Sequence, residues 1–253
     1  VASSNDVTIV EHPFYRPRNP ETLTTVMQVH SLTREEAESK VPVQIRGTVT
    51  AVAPVMDRWM ILQDDTRGIF VNLADVRNCR PHIGEYWNIS GYTQPGDFSP
   101  VIAAEQATLS GKSRMPEPAH PSWSQLANGS MDVQRVELQG LVTSVHSNEL
   151  SLLTAEGHLE VSMPNWTESD LNPFEHAIVS IRGTLFAAWN AETHEVHVAS
   201  IAMFNSTVMV DTPAPTDPFD APEKSVRGLL RFDPGATPFQ RVKLRGHVTY
   251  AEP

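Results

Sequence analysis

Trp59 and Phe70, with Arg46, are residue types that stack on a base, a sugar ring or a partner's side chain. They sit in stretches where apolar and polar residues alternate. That parity puts Arg46, Thr48, Trp59, Ile61, Phe70 and Asn72 on one outward face. The competing expectation is that Trp59 and Phe70 pack against a neighbouring domain or the N-terminal lead-in, because tandem modules must bury something against each other. Asp97 and Phe98 follow a Pro-Gly turn in QPGDFSPV. One reading sets Phe98 at the rim of the binding face with Asp97 accepting a hydrogen bond. The other makes Asp97 a turn cap and Phe98 a plug for the end of the barrel.

Other chemistry finds little support. No GxSxG, HExxH or glycine-rich phosphate loop occurs, and nothing around Cys79, the single cysteine, marks it as reactive. Asp64 and Asp65 fall in a hairpin turn, where turn formation explains them better than acid/base work. His194 and His197 in THEVH would point to opposite faces of a strand, so no metal is expected, nor any other cofactor. The Asn-x-Ser/Thr triplets at Asn88, Asn128, Asn165 and Asn205 are treated as chance.

The chain of 253 residues carries a formal charge of -11 and a pI near 5.3. Backbone phosphates demand a basic surface, so nucleic acid is a disfavoured partner. The acidity is concentrated: residues 121–211 hold two arginines against eleven carboxylates. No apolar run approaches the roughly 20 residues of a membrane helix, and the start, VASSNDVT, lacks the pattern of a signal peptide. Any membrane attachment would therefore use segments outside these residues.

The elements that position the candidate residues come from a repeat. PVQIRGTVTAVAP at Pro42 returns as RVELQGLVTSVHS at Arg135 and RVKLRGHVTYAEP at Arg241. Each reads as a strand with a glycine, Gly47, Gly140 or Gly246, at its third inward place, where a barrel strand bends. RWMILQDDTRGIFVNL then predicts a hairpin, EYWNISGYT a fourth strand and PVIAAEQATLSG a fifth. The second copy keeps this order, with ELSLLTAEGHLEVSM, AIVSIRGTLFA and EVHVASIAMF. The second module has Gln139, Leu141, Ser151, Leu153, His158 and Glu160 at the outward places, with no aromatic platform among them.

Five strands with a connection between the third and fourth follow the order of the OB-fold. Residues 43–91, through V-x-I-x-G-x-V and LQDDTRGIFV, resemble OB modules of the anticodon-binding type. The tandem run of RGTVTAV, LQDDTRGIFV, PGDFSPVIA, TPAPTDPFDAP and RVKLRGHVTY resembles the extracytoplasmic region ahead of the membrane span in some bacterial sensor histidine kinases. The fold class expected is all-β: two tandem five-stranded OB-type Greek-key barrels with short helical connections, plus the first strand of a third repeat.

The expected organisation is an irregular lead-in over 1–23, a first module over 24–111, a linker over 112–121 and a second module over 122–206. A proline-rich linker over 207–225 follows, with Phe219 as the apolar anchor of a docked strap, and then an incomplete third repeat over 226–253. What the resemblance implies is a non-catalytic, extracytoplasmic (periplasmic) sensory region of a membrane-anchored signalling protein, binding a small ligand or a protein. Any kinase activity would lie outside these residues. The alternatives are a single-stranded nucleic-acid-binding protein and a structural spacer. The ligand would engage the outward face of the first module or the groove between modules. Trp59→Ala would then abolish binding without unfolding. The last strand would pair with the second module's edge or with another copy of the chain.

Overall fold

The alternation over the first copy forms β1 (Pro42–Val52), β2 (Trp59–Gln63), β3 (Gly68–Asn72), β4 (Glu85–Gln94) and β5 (Val101–Lys112). The second copy forms β6 (Arg135–His146), β7 (Glu149–Leu153), β8 (His158–Ser162), β9 (Ile178–Trp189) and β10 (Val196–Thr212). The computed structural model describes residues 22–53, 58–217, 219–231, 233–234, 239, 241–247 and 249–250. The lead-in expected over 1–23 lies outside them except for its last two residues.

Each set of five strands closes into a barrel. The order is β1-β2-β3-β5-β4 in the first and the equivalent β6-β7-β8-β10-β9 in the second. Closure comes from antiparallel pairing of the first and fourth strands, while the third and fifth run parallel, as in β3 on β5 and β8 on β10. That is the OB-type Greek key. Val43, Ile45, Val49, Met60, Leu62, Ile69 and Val71 fill the first barrel, and Val136, Leu138, Val142, Leu150, Leu152 and Leu159 the second. Closure buries these apolar faces and leaves neither sheet with an unpaired edge strand.

The repeated glycines serve a different purpose from the expected bend. The register shifts lie further along the strand, between Val49 and Ala51 and between Val142 and Ser144. Gly47 and Gly140 instead give room to the neighbouring strand: a Cβ there would sit 2.5 Å from the Gln63 carbonyl oxygen and 2.6 Å from that of Leu153. A Cβ at Gly246 would meet nothing within 4 Å.

Ahead of each first strand runs a strap that bridges it in parallel, Leu23 to Val43, Ala119 to Val136 and Glu223 to Lys243. A short helix follows each strap: α1 (Val26–His30) with α2 (Arg34–Glu38), then α3 (Trp123–Ala127), and, after α4 (Glu168–Leu171) in the second barrel, α5 (Val226–Leu229). Such short helices depend on their ends. Thr25 caps α1, and Asp64 in the β2–β3 turn accepts from the Val26 amide at 2.8 Å.

Three expectations need correction. β10 continues past residue 206 to Thr212, because Thr207 to Thr212 still pair with β9; the prolines that stop it begin at Pro213. The Phe219 side chain is 73% exposed and is no apolar anchor; the main-chain bridge at Glu223 and a bond from the Lys243 ammonium to the Phe219 carbonyl hold that connector. Among its described residues the terminal copy forms no strand. Lys243 bridges to Glu223, Leu244 is 47% exposed, and the Arg241 guanidinium donates to the His176 carbonyl of the second barrel at 3.1 Å. A single bridge among the described residues makes no ladder. Val248 lies outside the described residues.

Candidate functional site at the junction of the barrels

The outward face of β2 and β3 meets the second barrel. Ala51, Ile61 and Val133 are buried together, and Trp59, Phe70, Phe186 and Phe204 close around them. The Trp59 ring lies 5.4 Å from Phe70, 5.7 Å from Phe186 and 5.7 Å from Phe204, and Phe186 and Phe204 are 4.6 Å apart. Tilted and edge-on pairs at these separations add about 0.5–1.5 kcal/mol each beyond area burial. Trp59 is therefore a fastener between barrels, half-buried between Phe70 of its own module and Phe186 and Phe204 of the second.

Hydrogen bonds set the register of this seam. The buried Gln134 side chain accepts from the Gly68 amide at 3.1 Å and donates to the Gly68 carbonyl at 3.4 Å. Gln63 accepts from the Arg135 amide at 3.1 Å, Thr184 donates to the Thr50 carbonyl at 3.1 Å, and Arg67 donates to the Ser130 carbonyl. A Cβ at Gly68 would lie 2.1 Å from the Val133 carbonyl oxygen, so only glycine allows the approach. Val133 is itself at φ 53°, a conformation costly for a β-branched residue, and is held there by its amide's 2.8 Å bond to Leu185.

Beside the seam opens a cleft of about 400 Å³. Phe70, Asn72, Asp97 and Phe98 of the first barrel face Asp132, Phe186 and Trp189 of the second across it. Phe98 stacks on Trp189 at 6.3 Å with ring planes 17° apart, and Trp189 stacks in turn on His194 at 6.3 Å. Phe98 thus neither plugs its own barrel nor stands free at a rim; it reaches across to the other module. Asp132 accepts from the Ala187 amide at 3.0 Å. Burial pushes its carboxyl up to about 6, against the lowering effect of the Ala187 and Val133 amides and the Arg67 charge.

Four of the seven residues singled out in the sequence, Phe70, Asn72, Asp97 and Phe98, converge on this cleft. Arg46 and Thr48 do not. Arg46 is exposed on a polar face with Gln44, Asn88, Ser90 and Gln106, and Thr48 is buried. Asp132, Phe186 and Trp189 were missed. The aromatics of the second barrel stand at the end of β9, in TLFAAWN, where the search for a platform on its first three strands did not reach.

No family model and no curated protein matches the chain. Among solved structures it is similar to the hypothetical protein ygiW from E. coli, at 18% identity over 36% of this chain and 92% of that one, with a TM-score of 0.29. It is similar also to a murine DNA-binding protein bound with double-stranded DNA, at 13% identity over 70% and 99% and a TM-score of 0.37. A third is the single-stranded DNA-binding protein from Thermus aquaticus, at 13% identity over 70% and 95% and a TM-score of 0.23. Scores this low carry no weight for function, and the fold stands on the strand order and register of both barrels: the chain holds two OB-type barrels in tandem.

Proposed function

We propose that these residues form a non-catalytic ligand-binding region of the extracytoplasmic sensory kind, whose two barrels hold a small molecule in the cleft beside their seam. The observation that carries this reading is the convergence of Phe70, Asn72, Asp97 and Phe98 with Asp132, Phe186 and Trp189 around one cavity. A cleft of about 400 Å³ at a domain junction, lined by aromatic side chains with a few polar groups, has the size and chemistry of small-molecule sites. A ligand contacting both barrels would change how firmly they are coupled, which is what a sensory region needs to pass a signal along its chain. The periplasmic setting and the membrane-anchored signalling partner are supported by the resemblance of the tandem sequence motifs.

A fragment screen by protein-observed NMR tests the assignment, with the amides of Gly96, Ser99 and Ala187 as reporters of the cleft. Hits that shift these amides in the native chain and lose the effect in Phe98→Ala support it. Hits confined to other surfaces, or unaffected by Phe98→Ala, would overturn it. Oligonucleotide binding at low salt that weakens steeply with added salt would favour the nucleic-acid reading instead.

A further inference from the structure

The walls of the cleft are chemically one-sided. Asp97 and Asp132 contribute carboxylates from opposite barrels, Asn72, Gln94 and Ser99 are neutral, and none of the described lining residues is a lysine, arginine or histidine. An anionic ligand would meet two carboxylates and, among the described lining residues, no counter-charge. A carboxylate offers about four acceptor positions. The Ala187 amide occupies one of these positions at Asp132. Arg67 is a cation whose charge acts on Asp132, and its guanidinium donates to the Ser130 carbonyl in the seam. His194 stacks on the Trp189 ring.

The rest of the lining is aromatic. Phe70, Phe98, Phe186 and Trp189 line the cavity, and aromatic side chains attract cations as well as flat apolar groups. Resting on the cleft as the binding site, we propose that its ligand is an organic cation, a protonated amine carried on a flat apolar body. The ammonium group donates to Asp132 and Asp97, and the apolar body lies against Phe98 and Trp189.

Three probes of nearly equal shape separate charge from shape: 2-phenylethylamine, 2-phenylethanol and phenylacetate, titrated into the native chain with the same cleft amides as reporters. The amine should bind at least about tenfold more tightly than the alcohol, the difference expected of one charge-assisted hydrogen bond, and phenylacetate more weakly still. Asp132→Asn keeps an acceptor for the Ala187 amide and should reduce the preference to about threefold or less; Asp97→Asn, at the exposed rim, should weaken it by a smaller factor. Equal binding of amine and alcohol, or a preference unchanged in Asp132→Asn, would overturn the cationic assignment while leaving the cleft as a binding site. Absence of any shift with all three probes would overturn the cationic assignment and count against the cleft as well.

Discussion

The two barrels share a strand order and use opposite parts of it. The first turns the outer face of its hairpin, Trp59, Ile61 and Phe70, toward its neighbour. The second answers with its lead-in and its last two strands, through Val133, Phe186 and Phe204. Its own β7–β8 hairpin, the counterpart of the face that the first barrel buries, carries Glu149, His158 and Glu160 in water, and Ser151 donates to Glu160 at 2.7 Å. A head-to-tail contact of this kind would repeat along a row of identical modules. Here the polar hairpin face stops it after one step, so outer-face composition, with the barrel interior unchanged, decides which surface becomes a seam.

The largest way to break this asymmetry is Trp59→Ala. It should cost about 3–5 kcal/mol and split one calorimetric transition into two, because it removes the ring shared by both barrels. A single transition with under about 1 kcal/mol lost would show that the barrels are not coupled there. This replaces the expectation that Trp59 could be removed without a structural penalty.

Next in size is a comparison of equivalent glycines. Gly47→Ala should destabilise by roughly 1–3 kcal/mol in denaturant melts, since its Cβ would strike the Gln63 carbonyl. Gly246→Ala, with open space around it, should stay within about 0.5 kcal/mol. Equal effects would mean that the third copy is enclosed.

Asp132→Asn probes the junction through pH. The folded-state pKa of about 6 lies above the ordinary 3.8, so the folded protein binds the proton more tightly. The contribution of Asp132 to stability is then fully present below pH about 4 and is lost as pH rises through about 6. The variant should gain about 2 kcal/mol over the native chain at pH 7.5 relative to pH 4, read from paired urea melts. A flat difference would contradict the buried carboxylate. The smallest effect is expected on the solvated hairpin, where Glu160→Gln should change stability by less than about 0.5 kcal/mol.

Interior and topology were legible because period-two alternation records which side chains face inward; Val43 to Val49 and Val136 to Val142 could be read directly. The outward residues were harder, since parity says that Trp59 and Phe70 point away from their own core without saying what covers them. The convergence of Phe70, Asn72, Asp97 and Phe98 was visible only in part, as one face and one loop. Asp132 could not be found that way: it is an ordinary residue in SMDVQ until Ala187, far along the chain, donates to it. The strand expected at Arg241 failed for the same reason in reverse, as its alternation is correct but no partner strand lies alongside among the described residues.

The parallel straps bear on how the chain can be cut. Each first strand is tied to a residue well before it, Leu23 for β1 and Ala119 for β6, and each helix between them packs through that tie. A recombinant piece begun at the first strand would leave the Gln44 and Glu137 amides without the carbonyls of Leu23 and Ala119. Separately expressed barrels should therefore start ahead of Leu23 and Ala119. Proteases acting on the whole chain should find their sites outside these ties, in stretches such as the one after Pro213.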